Sequence, residues 1–266
     1  MKLDKLGIDL DSLAGPDLSQ GYEVWRGDGF DGAPIVAILT NLVKPSKNRK
    51  TGVMAQAYIL RRDMKPIEAA QSGADAAVCG GCPLRPITAK ATGGAGCYVN
   101  LGWLTRLWES WKRGNYPRIS PAQAGDIVAR LGLPLRQGAY GDPAFVPTTV
   151  WTDLDRGRGT SYSHQWRTAD AALAHFTMAS VQSLAEAAEA QAAGWRTYRV
   201  DLEGVGPQRG EITCPEELRR GTDSPVQCAD CGLCNGNRGG AKNITITPIE
   251  SKKAKARRMA ALAIAA

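Results

Sequence analysis

Phe176-Thr-Met-Ala-Ser-Val181, then Leu184 to Ala193, then Gly194, then Trp195-Arg-Thr-Tyr-Arg-Val200 is the stretch that decides the fold. Its two flanks are short and carry β-branched and aromatic residues, which suit strands. Its middle is rich in alanine, the strongest helix former, and Gly194 is a natural stop. Strand, helix and strand in so short a span make a βα unit, whose strands run parallel.

The same order recurs on both sides. Leu135-Arg-Gln-Gly-Ala-Tyr140 is an expected strand that runs into Gly141-Asp142-Pro143. Thr148 to Leu154 reads as a helix, Thr160 to Trp166 as a strand, Ala169 to Leu173 as a short helix, and Ile244-Thr-Ile-Thr247 as the last strand. Repeated βα units predict an α/β fold, a partial or closed βα barrel, with the site on loops after the strand ends. Asp142, His164, Gln165 and Ser183 fall at such ends.

Further upstream, the near-continuous apolar run from Pro34 to Val43 predicts a buried strand. Met54 to Leu60 predicts a second strand, paired with it as a hairpin. Helices are expected over Pro66 to Ala77, Val99 to Arg113 and Pro121 to Leu131, the last stopped by Gly132. Leu101, Leu104, Leu107, Trp108 and Trp111 share one face of the second, and Trp103 falls off it. Turn formers crowd residues 1–33, which predicts a loosely structured leader. Residues 34–250 are expected to form the barrel-like domain and residues 251–266 a basic tail.

The formal net charge is +7. Lys252, Lys253, Lys255, Arg257 and Arg258 lie in the tail against Glu250, so the body carries little excess charge and no nucleic-acid stripe. The tail is the expected contact if nucleic acid is a partner; a solvated charge run is the plainer reading. No apolar run reaches the ~18–20 residues that cross a bilayer, and the N-terminus has no apolar signal core. The expectation is a cytoplasmic protein without a membrane partner. Thiols stay reduced there, so clustered cysteines point to metal rather than disulfides.

All seven cysteines fall into two groups. Cys228-Ala-Asp-Cys231-Gly-Leu-Cys234 lies in a glycine-rich loop, and Cys214-Pro215 precedes it. Cys-x-x-Cys-x-x-Cys with a remote fourth cysteine before proline is a spacing that iron–sulfur proteins use, and thiolates suit iron–sulfur clusters or zinc. Cys79-Gly-Gly-Cys82 with Cys97 is the second group. It has no evident fourth cysteine. Three thiolates with an open position suit a cluster that takes an exogenous ligand; the alternative is zinc completed by His164, His175 or a carboxylate.

The order of these parts resembles the radical SAM superfamily, above all its phage- and plasmid-borne members. The resemblance spans about residues 75–250. It rests on the group ending in Cys97-Tyr98-Val99-Asn100, a helix after it, Gly138-Ala-Tyr-Gly-Asp142-Pro143, and βα repeats closed by a cysteine loop. The family's usual motif is Cys-x3-Cys-x2-Cys, whereas here the spacing is Cys-x2-Cys-x14-Cys. The resemblance implies a [4Fe-4S] cluster on Cys79, Cys82 and Cys97, where S-adenosylmethionine binds. It implies an auxiliary cluster on Cys214, Cys228, Cys231 and Cys234. Tyr98, Gly141 and Asp142 then fall where that cofactor is held.

Asp142 is a candidate for binding a ligand amine or ribose, or a helix cap. His164 is a candidate general acid–base or a hydrogen-bonded core histidine. His175 reads as structural. Gly93-Gly94-Ala95-Gly96 lets Cys97 turn toward a metal. Two functions follow: an iron–sulfur enzyme with an unnamed small-molecule substrate, or a zinc-stapled nucleic-acid-binding accessory protein without catalysis.

Overall fold

In the computed structural model of the chain, residues 18, 20–44, 46, 48–92, 96–155, 157–240 and 242–248 are described. The expected basic tail, residues 1–17 of the expected leader, and Gly93-Gly94-Ala95 lie outside the described residues.

The leader expectation is corrected for its later part. Strand β1 (Gly21–Asp28) pairs antiparallel with β2 (Pro34–Thr40). The turn formers at Gly29 to Gly32 close this hairpin, with Gly29 N donating to Ala33 O at 2.8 Å and Gly32 at φ +77°. The strand hides its nature in sequence because Glu23 is buried on it. That carboxylate accepts from Trp111 Nε1 at 2.7 Å and pairs with Arg26. β2 pairs antiparallel with β3 (Ala55–Arg61), from Ile35↔Arg61 to Thr40↔Gln56. Ile35 to Leu39 and Ala55 to Leu60 are buried on both faces, which is why the two runs are apolar without alternation.

The expected helix from Pro66 to Ala77 is two helices, α1 (Pro66–Ser72) and α2 (Ala76–Cys79). Gly73 sits between them at φ +83°, a conformation that ends a helix. α3 (Pro86–Thr92) follows. α4 (Leu101–Lys112) starts at Asn100, whose side chain accepts from Trp103 N at 3.0 Å. Leu104, Leu107 and Trp108 are its buried face, while Trp103 stands partly exposed against the Tyr58 ring. α5 (Pro121–Arg130) begins with a reciprocal Ser120–Gln123 cap.

β4 (Leu135–Tyr140) lies parallel to β3. After α6 (Thr148–Leu154) come β5 (Gly159–Thr160) and β6 (Tyr162–Ser163), separated only by Ser161. β5 pairs with β4, and β6 pairs with β7 (Met178–Val181). One stretch of chain thus belongs to both sheets. α7 (Leu184–Ala192) leads to β8 (Thr197–Val200), as expected. β9 (Glu211–Thr213), α8 (Pro215–Arg219) and α9 (Cys228–Cys231) precede β10 (Asn243–Ile246), which inserts between β8 and β9.

The result is a mixed α/β fold with two five-stranded sheets, ordered β1-β2-β3-β4-β5 and β6-β7-β8-β10-β9. Every pairing from β3 onward is parallel. The expectation of a closed barrel is corrected. Among the described residues nothing pairs β9 with the first sheet, and the antiparallel β1–β2 hairpin covers the free edge of β3. No helix among the described residues is long and apolar enough to cross a membrane.

Candidate functional site

The strand ends and two loops gather the chemistry-bearing residues. Cys79 ends α2, which follows β3 and α1 in the chain. Gly80 turns there at φ +53°, and a Cβ on it would meet the Gln165 side chain and the Phe145 ring at 2.6–2.7 Å. Gln165 braces this loop by donating to Cys79 O at 3.3 Å and accepting from Gly81 N at 3.4 Å. Arg85 clamps it from the other side. Its guanidinium meets Asp75 at 2.7 Å and the carbonyls of Gly80 and Gly73 at 3.1 and 2.5 Å. Cys97 returns to the loop through its N–H to Leu84 O at 2.6 Å.

Cys79, Cys82 and Cys97 line one cavity of about 180 Å³, with Asp142 and His164 on the same wall. Burial drives the Cys79 thiol well above its ordinary value, and the neighbouring Cys82, Asp75 and Cys97 add to it. Burial pushes Cys82 up to about 12 and raises Cys97 too. The Tyr140 hydroxyl is buried without a hydrogen-bond partner at normal geometry and faces Cys79. A metal, were one bound here, would take up these sulfurs as thiolates.

The second set forms where β9, β10 and α9 meet. Cys214 follows β9, and its N–H donates to Thr245 O in β10 at 2.9 Å. Cys228 and Cys231 are on α9, whose first amides reach Lys50 O and Thr51 O at 2.9 and 3.0 Å. Gly232 turns the chain at φ +64° toward Cys234, whose carbonyl accepts from Ser161 N at 3.1 Å. Arg196 holds this loop through the carbonyls of Leu233, at 2.9 Å, Gly236, at 2.5 Å, and Lys242. The four thiols line a cavity of about 20 Å³. Burial pushes Cys234 up to about 12, and it raises Cys228 and Cys231. Cys228 lines both cavities.

All seven cysteines are free thiols. Among the described residues no group of three or more His, Cys, Asp or Glu side chains stands in position to hold a metal ion. In each set the cysteines share the lining of one cavity.

Comparison with known protein families, curated proteins and solved structures found no match.

The other expected site residues have visible local work. Asp142 follows β4 and is buried. Its carboxylate accepts from Ala144 N at 3.0 Å, Ser163 Oγ at 2.7 Å and His164 N at 2.7 Å, and its own N–H donates to Val78 O at 2.6 Å. It therefore caps the 3-10 turn Pro143–Phe145 and ties the ends of β4 and β6 to the first cysteine loop. Burial pushes it up to about 6 despite those donors. Gly141, at φ +82°, lies where a Cβ would come within 2.6 Å of Ile59 Cβ, so it keeps β3 and β4 close. Tyr98 is mostly exposed and accepts from Arg136 at 3.1 Å. His175 is exposed beside Phe176 and does not line the cavity of Cys97. Arg85, Arg136, Tyr140 and Arg196 escaped the sequence reading. Only the alternation of β4, which puts Arg136 and Tyr140 on one face, signals two of them.

His164 lines the cavity beside Cys79, and Gln182 Nε2 lies 3.4 Å from its Nδ1. Burial lowers it to about 4 from 6.5, partly offset by a hydrogen bond to the Ser180 backbone. The unfolded chain then binds the extra proton between those values, so stability falls as pH drops from about 6.5 to about 4, by at most about 3 kcal/mol. Asp142 acts oppositely, losing stability as pH rises from 3.8 to about 6. The difference between wild type and His164→Gln isolates the imidazole. Urea unfolding at pH 7 and pH 4 should show the variant losing less stability; equal losses would mean the ring is not held neutral.

Proposed function

We propose that this chain is an iron–sulfur protein with two metal centres. Cys79, Cys82 and Cys97 would hold a [4Fe-4S] cluster with one open iron, and Cys214, Cys228, Cys231 and Cys234 an auxiliary centre. The observation that carries the reading is the enclosure of three thiols on the wall of the larger cavity, beside an unsatisfied buried hydroxyl. A bound cluster supplies electron transfer and, in a radical-SAM-like reaction, reductive cleavage of S-adenosylmethionine. The parallel strands from β3 to β9 support a partial βα barrel with this site at strand ends.

The chain's own residues have defined parts in that reading. Asp142 orders the wall by fixing the backbone of His164. Neutral His164 faces the cavity and can accept a proton at a ring nitrogen. Arg85 and Gln165 keep the first cysteine loop in place. The cytoplasm, with its reduced thiols, is the compartment this chemistry needs.

The size of the smaller cavity favours a second reading for that set alone: about 20 Å³ is room for one ion-sized body, and four thiols suit zinc. Zinc there, without iron elsewhere, would leave the accessory-protein reading, with nucleic acid on the tail. Iron, zinc and acid-labile sulfide analysis with Mössbauer spectra decides. Anaerobically prepared wild type should hold iron and sulfide, with Cys97→Ala and Cys231→Ala each losing a different part. Colourless protein with stoichiometric zinc from iron-supplemented cells would reject the iron–sulfur reading.

A further inference from the structure

Arg136 is a charged group without a matching charge. It sits on β4 and lines the larger cavity. Its guanidinium donates to the Tyr98 hydroxyl at 3.1 Å, a neutral acceptor, and the phenols of Tyr58 and Tyr162 are its other near neighbours. No carboxylate among the described residues is ion-paired with it. Asp142, on the same cavity, is occupied by its own donors, and Lys50, also on the wall, is paired with Glu216 at 3.9 Å. Three other enclosed arginines differ: Arg199 meets Glu211 and Asp201, Arg85 meets Asp75, and Arg196 is ringed by carbonyls. A guanidinium cannot shed its charge, so enclosing one without a counter-ion is costly unless a ligand brings the anion.

We propose that Arg136 anchors the carboxylate of a small-molecule substrate. Tyr98 flanks the head group, and Tyr162 and Tyr198, whose rings lie 4.4 Å apart, form the wall for its apolar or aromatic part. The planar fork of arginine matches a carboxylate in two parallel hydrogen bonds. One unpaired cation balances one negative charge; a phosphate dianion would leave charge uncompensated in the cavity. The proposal rests on the iron–sulfur reading only in that it names the substrate class of the same cavity; the binding itself needs no metal.

The test titrates anaerobically purified protein with phenylacetate, phenylacetamide and phenyl phosphate by calorimetry, with iron and sulfide measured on each sample. Phenylacetate should bind, and the other two about tenfold more weakly or less. Arg136→Gln should lose the preference and Arg136→Lys keep part of it. Phenylacetate no tighter than its amide, phenyl phosphate tighter than both, or full binding by Arg136→Gln would overturn the proposal. Displacement of phenylacetate by S-adenosylmethionine would move the arginine to a cosubstrate's carboxylate and also overturn it. Arg136 lies near Cys97 and Cys228 as well. Metal loss in Arg136→Gln, with no phenylacetate binding by wild type, would make it a counter-charge for sulfur and defeat the proposal. Wild type that binds phenylacetate yet holds no iron would sink the metal reading and leave this one standing. The head-group comparison on unaltered protein decides even if the glutamine variant fails to fold.

Discussion

If the proposed metal centres exist, serine in place of Cys79 should strip the first and leave the second loaded. Burial pushes the Cys79 thiol well above its ordinary value, and Cys82, Asp75 and Cys97 crowd it with further negative potential. Without a cation the sulfur stays protonated; with one, the same crowding becomes attraction. A serine hydroxyl is harder and far less acidic than a thiol, so it replaces the sulfur poorly on iron. Cysteine-to-serine keeps the shape of the loop, which Arg85 and Gln165 brace independently. Iron and sulfide per chain should fall by the content of one centre, and Cys231→Ser should remove the complementary part. Cys79→Ser protein with an unchanged metal content and an unchanged near-400 nm absorbance would show that this set binds nothing.

Arg199→Met should be strongly destabilising, away from the thiols. Arg199 is 1% exposed on β8 and meets Glu211 at 2.7 and 2.9 Å and Asp201 at 3.0 Å. Asp201 in turn accepts the amides of Gly204, Val205 and Gly206 at 2.8–3.2 Å. Burial works against both carboxylates, yet their hydrogen bonds outweigh it and hold each below its ordinary value. Acids lowered in the fold stabilise it above their unfolded values, 4.5 for Glu and 3.8 for Asp, and that support is lost as pH falls through the folded ones. Methionine fills the space but leaves two carboxylates enclosed without their cation, which costs about 3–5 kcal/mol and lowers Tm by about 10 °C. Because Glu211 opens β9 and β9 leads straight to Cys214, the second centre should lose metal before the first. A melting temperature within about 2 °C of wild type would show that the network carries no net stability.

How far the amino-acid order was legible follows from how local each signal is. The β2 and β3 runs, the helices α4 and α5, and the strand–helix–strand of β7, α7 and β8 all stand in short windows, and each is present in the fold. β1 was hidden because Glu23 interrupts an apolar pattern, and Trp111 and Arg118, far along the chain, join the nearby Arg26 in making that burial tolerable. β9 was hidden for the same reason: Glu211 reads as a loop residue until Arg199 is opposite it. The single helix expected over Pro66 to Ala77 overlooked Gly73, whose left-handed backbone splits it.

From its residue order alone this chain declared alternating parallel units and two separate groups of cysteines, because periodicity and spacing are properties of neighbours. Three-dimensional packing alone decided that the strands divide into two sheets joined at Ser161, that an antiparallel hairpin guards one edge, and that Arg136 faces the cavity without a carboxylate. Those outcomes depend on which side chains from distant segments meet in a place shielded from water, where an unmatched charge or hydroxyl is costly, and adjacency along the backbone carries no record of such meetings.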